Sequence, residues 1–388
     1  MAYVRAFYSL LVAIAIAATV SCTGTGTNEP RLSAVAALPK PSLPPWIASI
    51  SPTRTAQSLA QIRVIFAKPV TPVEALSGEG PRAVLDRVSI EPKLAGHFVV
   101  LTPRMIGFVA ERALPIGTRV RVTLAAGLRD LSGDTLQRDL AWTFETQALS
   151  FTSLPQLVGG DDEATPAPVD LRPKLQVTGN AAVDVASLAA HATIGGADGS
   201  SIAVTAVVEA TPSPDPGDNA QELYDPSLDV WVYDLRPTRE LRRGTTYQLA
   251  IAPGVEPLYG NLATAQRFLG AVRTYDTLAI VPTPLPSPNA GGRFADGDPA
   301  IAFSNPLDPN SIANAVSISP APAAVKTLTS VPDQSNTIAI DPYALDPDKT
   351  YVATVAASVK DVFGQTLGHE RRVTIHTSDC LLYTSRCV

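Results

Sequence analysis

The chain has 388 residues, 45% of them hydrophobic, with 35 Pro, 25 Gly, a net charge of −6 and a pI near 5.3. That length predicts two to three domains, and the mild acidity offers none of the clustered Lys and Arg that nucleic acid requires. The Pro and Gly lie between strand-like runs, a pattern of frequent chain reversal and not of one disordered block.

Residues 1–22 differ from the rest. Arg5 and the amino terminus make a small positive end, and Leu10 to Val20 is apolar apart from Thr19. The run is short for a bilayer span and reads as the core of a signal peptide. It ends at Ser21-Cys22, a small residue before a Cys, as at bacterial lipoprotein processing sites. Thr19 departs from the Leu, Val or Ile usual there. Cleavage before Cys22 would make it the acylated first residue, and several acyl chains hold a protein durably where one does not. Ordinary cleavage after Ala17 or Ser21 is the alternative. Uncharged Thr23 leans towards the outer membrane, and without lipidation the chain would be secreted. Residues 23–45 are Pro-rich and lack hydrophobic periodicity, as expected of a flexible tether.

Residues 46–147 are expected to form a first β domain. Ile62 to Phe66 and Val88 to Pro92 read as strands. Val120, Val122 and Leu124 alternate with Arg119, Arg121 and Thr123, the period of two of a strand with one buried face. Leu140 to Phe144 would close the unit, with Trp142 in its core. Residues 148–276 form a longer second unit: an early strand at Leu175 to Val177, a short helical turn within Val183 to Ala192, and an exposed loop at 211–221. Tyr247, Leu249 and Ile251 then alternate with polar neighbours, and Phe268 to Arg273 closes. Residues 277–378 repeat the scheme with Ala300 to Phe303, Val316 to Pro320, the alternating Tyr351, Ala353 and Val355, and closing Val373 to Ile375.

One rhythm joins the three. A thirteen-residue interval runs from Val120 to Gly133, from Tyr247 to Gly260 and from Tyr351 to Gly364. Six residues before each opening position stands a Leu (Leu114, Leu241, Leu345), and eight after it an apolar residue (Leu128, Val255, Val359). A positive φ in a tight turn is the expected reason for the three glycines. The Leu–Tyr spacing matches the tyrosine corner of immunoglobulin-like sandwiches, whose phenol returns to upstream backbone; Val120 cannot do this. The fold class read from this is all-β: three tandem immunoglobulin-like antiparallel sandwiches, each of about 100–130 residues and able to bury its own core without disulfides.

Residues 379–388 read as a non-native tail, since Cys380-Leu-Leu-Tyr-Thr-Ser385 looks like a translated sequencing adapter. A short native tail closed by Cys380 and Cys387 is the alternative. Without the tail only Cys22 remains, so no disulfide framework is expected, and the chain would be a piece of a longer protein.

No catalytic signature matches this rhythm in strength. His97, His191, His369 and His376 are the only histidines, and none stands in a metal-binding spacing. A nucleophile elbow, a P-loop and a dinucleotide fingerprint are all missing. Asp161-Asp162-Glu163 and Asp296-Gly297-Asp298 lack the ligand count of a calcium loop and read as solvated turns. The expectation is therefore no catalytic residue, no metal and no cofactor.

Residues 88–146 resemble the surface-layer-type Ig-like modules near the start of bacterial α2-macroglobulin-like proteins. The resemblance rests on Ile90-x-Pro92, Gly96-x-Phe98, Ala113-Leu114-Pro115-x-Gly117-Thr118, Gly133 and Phe144-x-Thr146. Val109-Ala110, where a Pro is common, and Val120 for Tyr depart from it. The likeness is good over 46–147, fair over 277–377 and weak between. It implies an envelope protein that traps peptidases through a bait segment and often an internal thioester, both far downstream. No Cys-Gly-x-x-Glu-Gln stretch occurs here, so no reactive residue transfers. The implied role is a non-catalytic N-terminal scaffold, with the membrane and, in the whole protein, peptidases as partners. A structural or adhesive surface protein of tandem Ig-like domains is the competing reading.

Overall fold

The computed structural model describes residues 31–76, 82–156, 168–210, 230–282, 300–322, 329–330, 335–341, 344–346 and 349–377. Cys22, both acidic stretches, the loop expected at 211–221 and the 379–388 tail lie outside these residues.

The first sandwich contains β1 (Ile47–Ser51), β2 (Thr55–Ala56), β3 (Arg63–Phe66), a single helical turn α1 (Arg82–Leu85), β4 (Val88–Glu91), β5 (Gly96–Thr102), β6 (Met105–Ala110), β7 (Arg119–Leu124) and β8 (Leu140–Thr146). Its sheets run β1-β3-β6-β5 and β2-β8-β7-β4. All pairings are antiparallel except the short β2–β8 pair. The alternation along β7 buries Val120, Val122 and Leu124 completely against Val64, Phe66, Ile106 and Trp142. Trp142 is a core residue, and its indole nitrogen donates to the Pro52 carbonyl at 2.9 Å, so its one polar atom is satisfied.

The second sandwich contains β9 (Phe151–Thr152), β10 (Leu175–Gly179), α2 (Val185–His191), β11 (Ala192–Gly196), β12 (Ser201–Ala210), β13 (Trp231–Pro237), β14 (Thr246–Ile251) and β15 (Phe268–Arg273). The expected helical turn is α2, started by Asp184, whose side chain accepts from Ser187 N at 3.0 Å, an N-cap that satisfies an orphan donor. The strand order is continuous, β15-β14-β11-β12-β13-β10-β9. The ten-residue β12 accounts for this: Ser201 to Ala203 pair with β11, and Val204 to Ala210 with β13. Around it Val177, Leu188, Ile194, Tyr233, Leu235, Leu249 and Ile251 are wholly buried.

The third sandwich is smaller: β16 (Ala300–Ala302), β17 (Val316–Ser319), β18 (Thr329–Ser330), β19 (Thr337–Ile340), β20 (Thr350–Val355) and β21 (Arg371–His376), in sheets β16-β19-β18 and β17-β20-β21. Phe303, Leu307, Ile338, Tyr351, Ala353, Val355 and Ile375 fill its core.

The three sandwiches share one register. In each, the alternating strand pairs antiparallel with the closing strand, matching Val120 to Phe144, Tyr247 to Val272 and Tyr351 to Ile375. Leu114, Leu241 and Leu345 are buried, as are Leu128, Val255 and Val359. At roughly 1.5–3 kcal/mol for each fully buried aliphatic side chain, these repeated positions are where each module gains its cohesion.

From Leu32 the Pro-rich segment is docked on the first sandwich, where a free tether was expected. Val35 is buried, and Leu32 and Leu43 pack against the core. Leu38 N donates to Thr143 Oγ1 at 3.0 Å, and Arg119 Nη1 to the Val35 carbonyl at 3.2 Å. Side chains of β7 and β8 thus hold the backbone of a segment too irregular to make a ladder of its own.

Candidate functional site at the module junctions

The polar groups buried in these sandwiches serve architecture. A buried Thr stands at the end of each closing strand or directly after it: Thr146, Thr274 and Thr377. Its hydroxyl accepts from Thr118 N, Thr245 N or Lys349 N at 2.9–3.0 Å and donates to the carbonyl of Pro115, Arg242 or Asp346 at 2.6–2.7 Å. In the second and third modules a tyrosine corner adds to this clamp. Tyr247 Oη accepts from Arg242 N, and Tyr351 Oη from Asp346 N, both at 2.9 Å. Where Val120 replaces the Tyr, the clamp is made by Thr146 without a phenol.

The three glycines divide by role. Gly133 and Gly364 have φ of 94° and 82° with open space around them, as a left-handed turn requires. Each turn is held by an Asp three residues earlier. Asp130 Oδ1 accepts from Ser132 N and Asp134 N, and Asp361 Oδ1 from Phe363 N and Gln365 N, at 2.8–3.1 Å. Gly260 departs from the expectation: it is not a positive-φ residue but a buried one. A Cβ there would strike the Gly117 carbonyl and lie 2.6 Å from the Ile116 carbonyl and 2.8 Å from Pro257. Close approach of two backbones, not turn geometry, demands this glycine. Pro257, standing where the other copies have Asp, was the visible sign of a different turn.

Around Gly260 the first junction is built. Ile116 leaves the first module and packs into the core of the second. Asn261 N and Leu262 N donate to the Gly117 carbonyl at 3.0 and 2.8 Å. The Asn261 carboxamide accepts from Arg119 N at 2.7 Å and donates to the carbonyls of Arg119 at 3.0 Å and Ser33 at 2.8 Å. Arg119 also pairs with Glu145 at 2.6 Å. Sequence reasoning missed Ile116 and Asn261 because neither belongs to a module's own periodicity.

The second junction uses the same place in the repeat. Gln365, which follows Gly364 as Asn261 follows Gly260, donates to the Asp276 carbonyl at 2.8 Å. Asn305 accepts from Asp276 N at 3.1 Å and donates to its carbonyl at 2.7 Å. Tyr275 stacks on Phe363 with centroids 4.3 Å apart, and the Arg243 guanidinium lies 5.6 Å from the Tyr275 centroid. The Asp361 carboxylate beside a shallow cleft is engaged throughout, its Oδ2 accepting from Asn305 and Gln365 at 2.8 Å each.

The remaining chemistry-bearing groups are dispersed. His97 and His369 are exposed, while His191 Nδ1 lies 2.8 Å from the Ser187 carbonyl and His376 Nδ1 2.9 Å from Thr350 Oγ1. Among the described residues no group of three or more His, Cys, Asp or Glu could hold a metal, and no helix is long and apolar enough to cross a membrane. Tyr233 is pushed up to about 12 by burial; its hydroxyl accepts from Val183 N at 2.9 Å, holding the α2 approach to the sheet.

Comparison with known proteins follows the same lines. Residues 279–377 match the bacterial Ig-like domain family. The chain is 40% identical over 387 residues to an alpha-2-macroglobulin homolog of Nostoc sp., covering 97% of this chain and 20% of that protein. A solved Escherichia coli alpha-2-macroglobulin fragment spanning domains MG0-NIE-MG1 is 13% identical, covering 85% of this chain and 96% of that one, with a TM-score of 0.20. Titin domains A168–A170 are 10% identical over 86% and 98% of the two chains, with a TM-score of 0.30. The chain is thus similar over almost its whole length to about one fifth of an alpha-2-macroglobulin homolog, and its residues 279–377 match the bacterial Ig-like domain family.

Proposed function

We propose that this chain is the non-catalytic scaffold of an alpha-2-macroglobulin-like peptidase trap in the bacterial envelope, built as modules 46–147, 148–276 and 277–378. Identity of 40% across almost the whole chain to an alpha-2-macroglobulin homolog carries this reading. The deployment of its polar side chains supports it: the buried hydroxyls and carboxamides named above close turns or join modules. A trap that closes around a peptidase needs a stiff column against which its moving parts can work. Peptidase assays with small chromogenic and large protein substrates test the proposal. This chain alone should leave both activities unchanged, while the full-length protein should block only the large substrate. Inhibition by the chain alone contradicts the scaffold role, and a full-length protein without effect contradicts the trap.

On the same reading Cys22 is acylated and fixes the protein to a membrane. Cys22 lies ten residues before Leu32 in the sequence. Fatty-acid labelling should mark the natural chain and not Cys22→Ala; an unlabelled natural chain removes the anchor and makes the protein secreted.

A further inference from the structure

The segment from Ser33 to Leu38 touches both sides of the first junction. Its Ser33 carbonyl accepts from Asn261 of the second module, and its Val35 carbonyl accepts from Arg119 of the first. Arg119 and Asn261 are in turn bonded to each other through backbone and carboxamide. The three segments close a triangle: strap, β7 and the Gly260 turn. Val35 seals one side of it by burial, and Leu38 fastens the far end on Thr143. Both N–H donors of the Asn261 side chain are used and its oxygen accepts one bond, and one of the donors serves the strap.

We propose that the strap is a latch whose docking sets the stiffness of the joint between the first and second modules. With the strap seated, Asn261 is held in the one orientation that also serves Arg119, and the Gly117–Leu262 backbone bonds stay closed. With it peeled away, Asn261 Nδ2 and Arg119 Nη1 turn to water, the carboxamide gains rotational freedom, and the joint opens more often. Tension or cleavage in the chain before Leu32 would then be felt at the joint and not in the module cores. The strap joins the first module at the joint itself, so a pull there acts on it directly. This holds whatever the whole protein traps.

Hydrogen exchange of the Asn261 and Leu262 amides, both donors to the Gly117 carbonyl, reads the latch in the full chain. Val35→Asp expels the strap by placing a charge where a buried Val sat. Thr143→Val removes only its distal fastening, at a half-buried strand position outside the core that accepts Val. The latch predicts exchange at Asn261 and Leu262 about tenfold faster in Val35→Asp, a smaller acceleration in Thr143→Val, and unchanged ladder amides in β14 and β20. Unaltered exchange at both junction amides in both variants overturns it. So does acceleration of β7 and β8 by the same factor as the junction, since the strap would then merely stabilise the first module.

Discussion

Gly260 and Gly133 occupy the same place in the repeat for different physical reasons, and substitution separates them. Gly133→Ala meets nothing but pays left-handed strain, about 1–2 kcal/mol, and should lower the stability of the first module alone. Gly260→Ala forces a methyl group into the Gly117 carbonyl, and overpacking of this kind costs about 1–3 kcal/mol. It should speed amide exchange at Leu262, which Gly133→Ala should leave untouched; equal behaviour of the two would refute the distinction. Tyr233 gives a pH signature at the same scale. Burial favours its neutral phenol, so the folded chain holds that proton more tightly than the unfolded one. The resulting stability is complete below the ordinary tyrosine value of 10 and disappears as pH rises through about 12. Urea midpoints of the second module should fall over that interval, and in Tyr233→Phe this component of the fall should vanish. A parallel decline in both proteins would mean that Tyr233 is not its source.

The elements most legible beforehand were those whose side chains report burial by alternation. β7, β14 and β20, the closing strands beside them and the three Leu all lay where a period of two and a fixed interval placed them. β4 and β17, each an Ile-x run followed by a Pro, were equally plain. What escaped was everything that acts between periodic stretches. Ile116 sits in a loop where its counterparts are Arg243 and Pro347, so its apolar character carried no pattern, although it belongs to the second module's core. The docked strap escaped for the same reason, since side-chain donors from β7 hold it and it has no ladder of its own. Ile116 makes a sharp prediction because its chain position and its packing lie in different modules. Ile116→Ala removes a buried side chain at a cost of about 2–5 kcal/mol, and the loss should appear in the unfolding of the second module. Confinement of the loss to the first module would mean that Ile116 is not a plug.

At the scale of the molecule, each joint includes one carboxamide from a repeated position, the residue after the glycine of the thirteen-residue interval. Asn261 reaches back to Arg119 at the start of β7 and Gln365 to Asp276 just beyond β15, and a stacked Tyr275–Phe363 pair reinforces the second joint. Modules joined in this way each keep a hydrophobic core of their own. The central claim is this separation of three cores, and native-state hydrogen exchange on Ala353→Asp tests it most directly. A charge in the fully buried centre of the third core should strip protection from β16 to β21 while the ladders of β3 to β8 and β10 to β15 keep theirs. Loss of protection along the whole chain would show a single cooperative body and contradict the account.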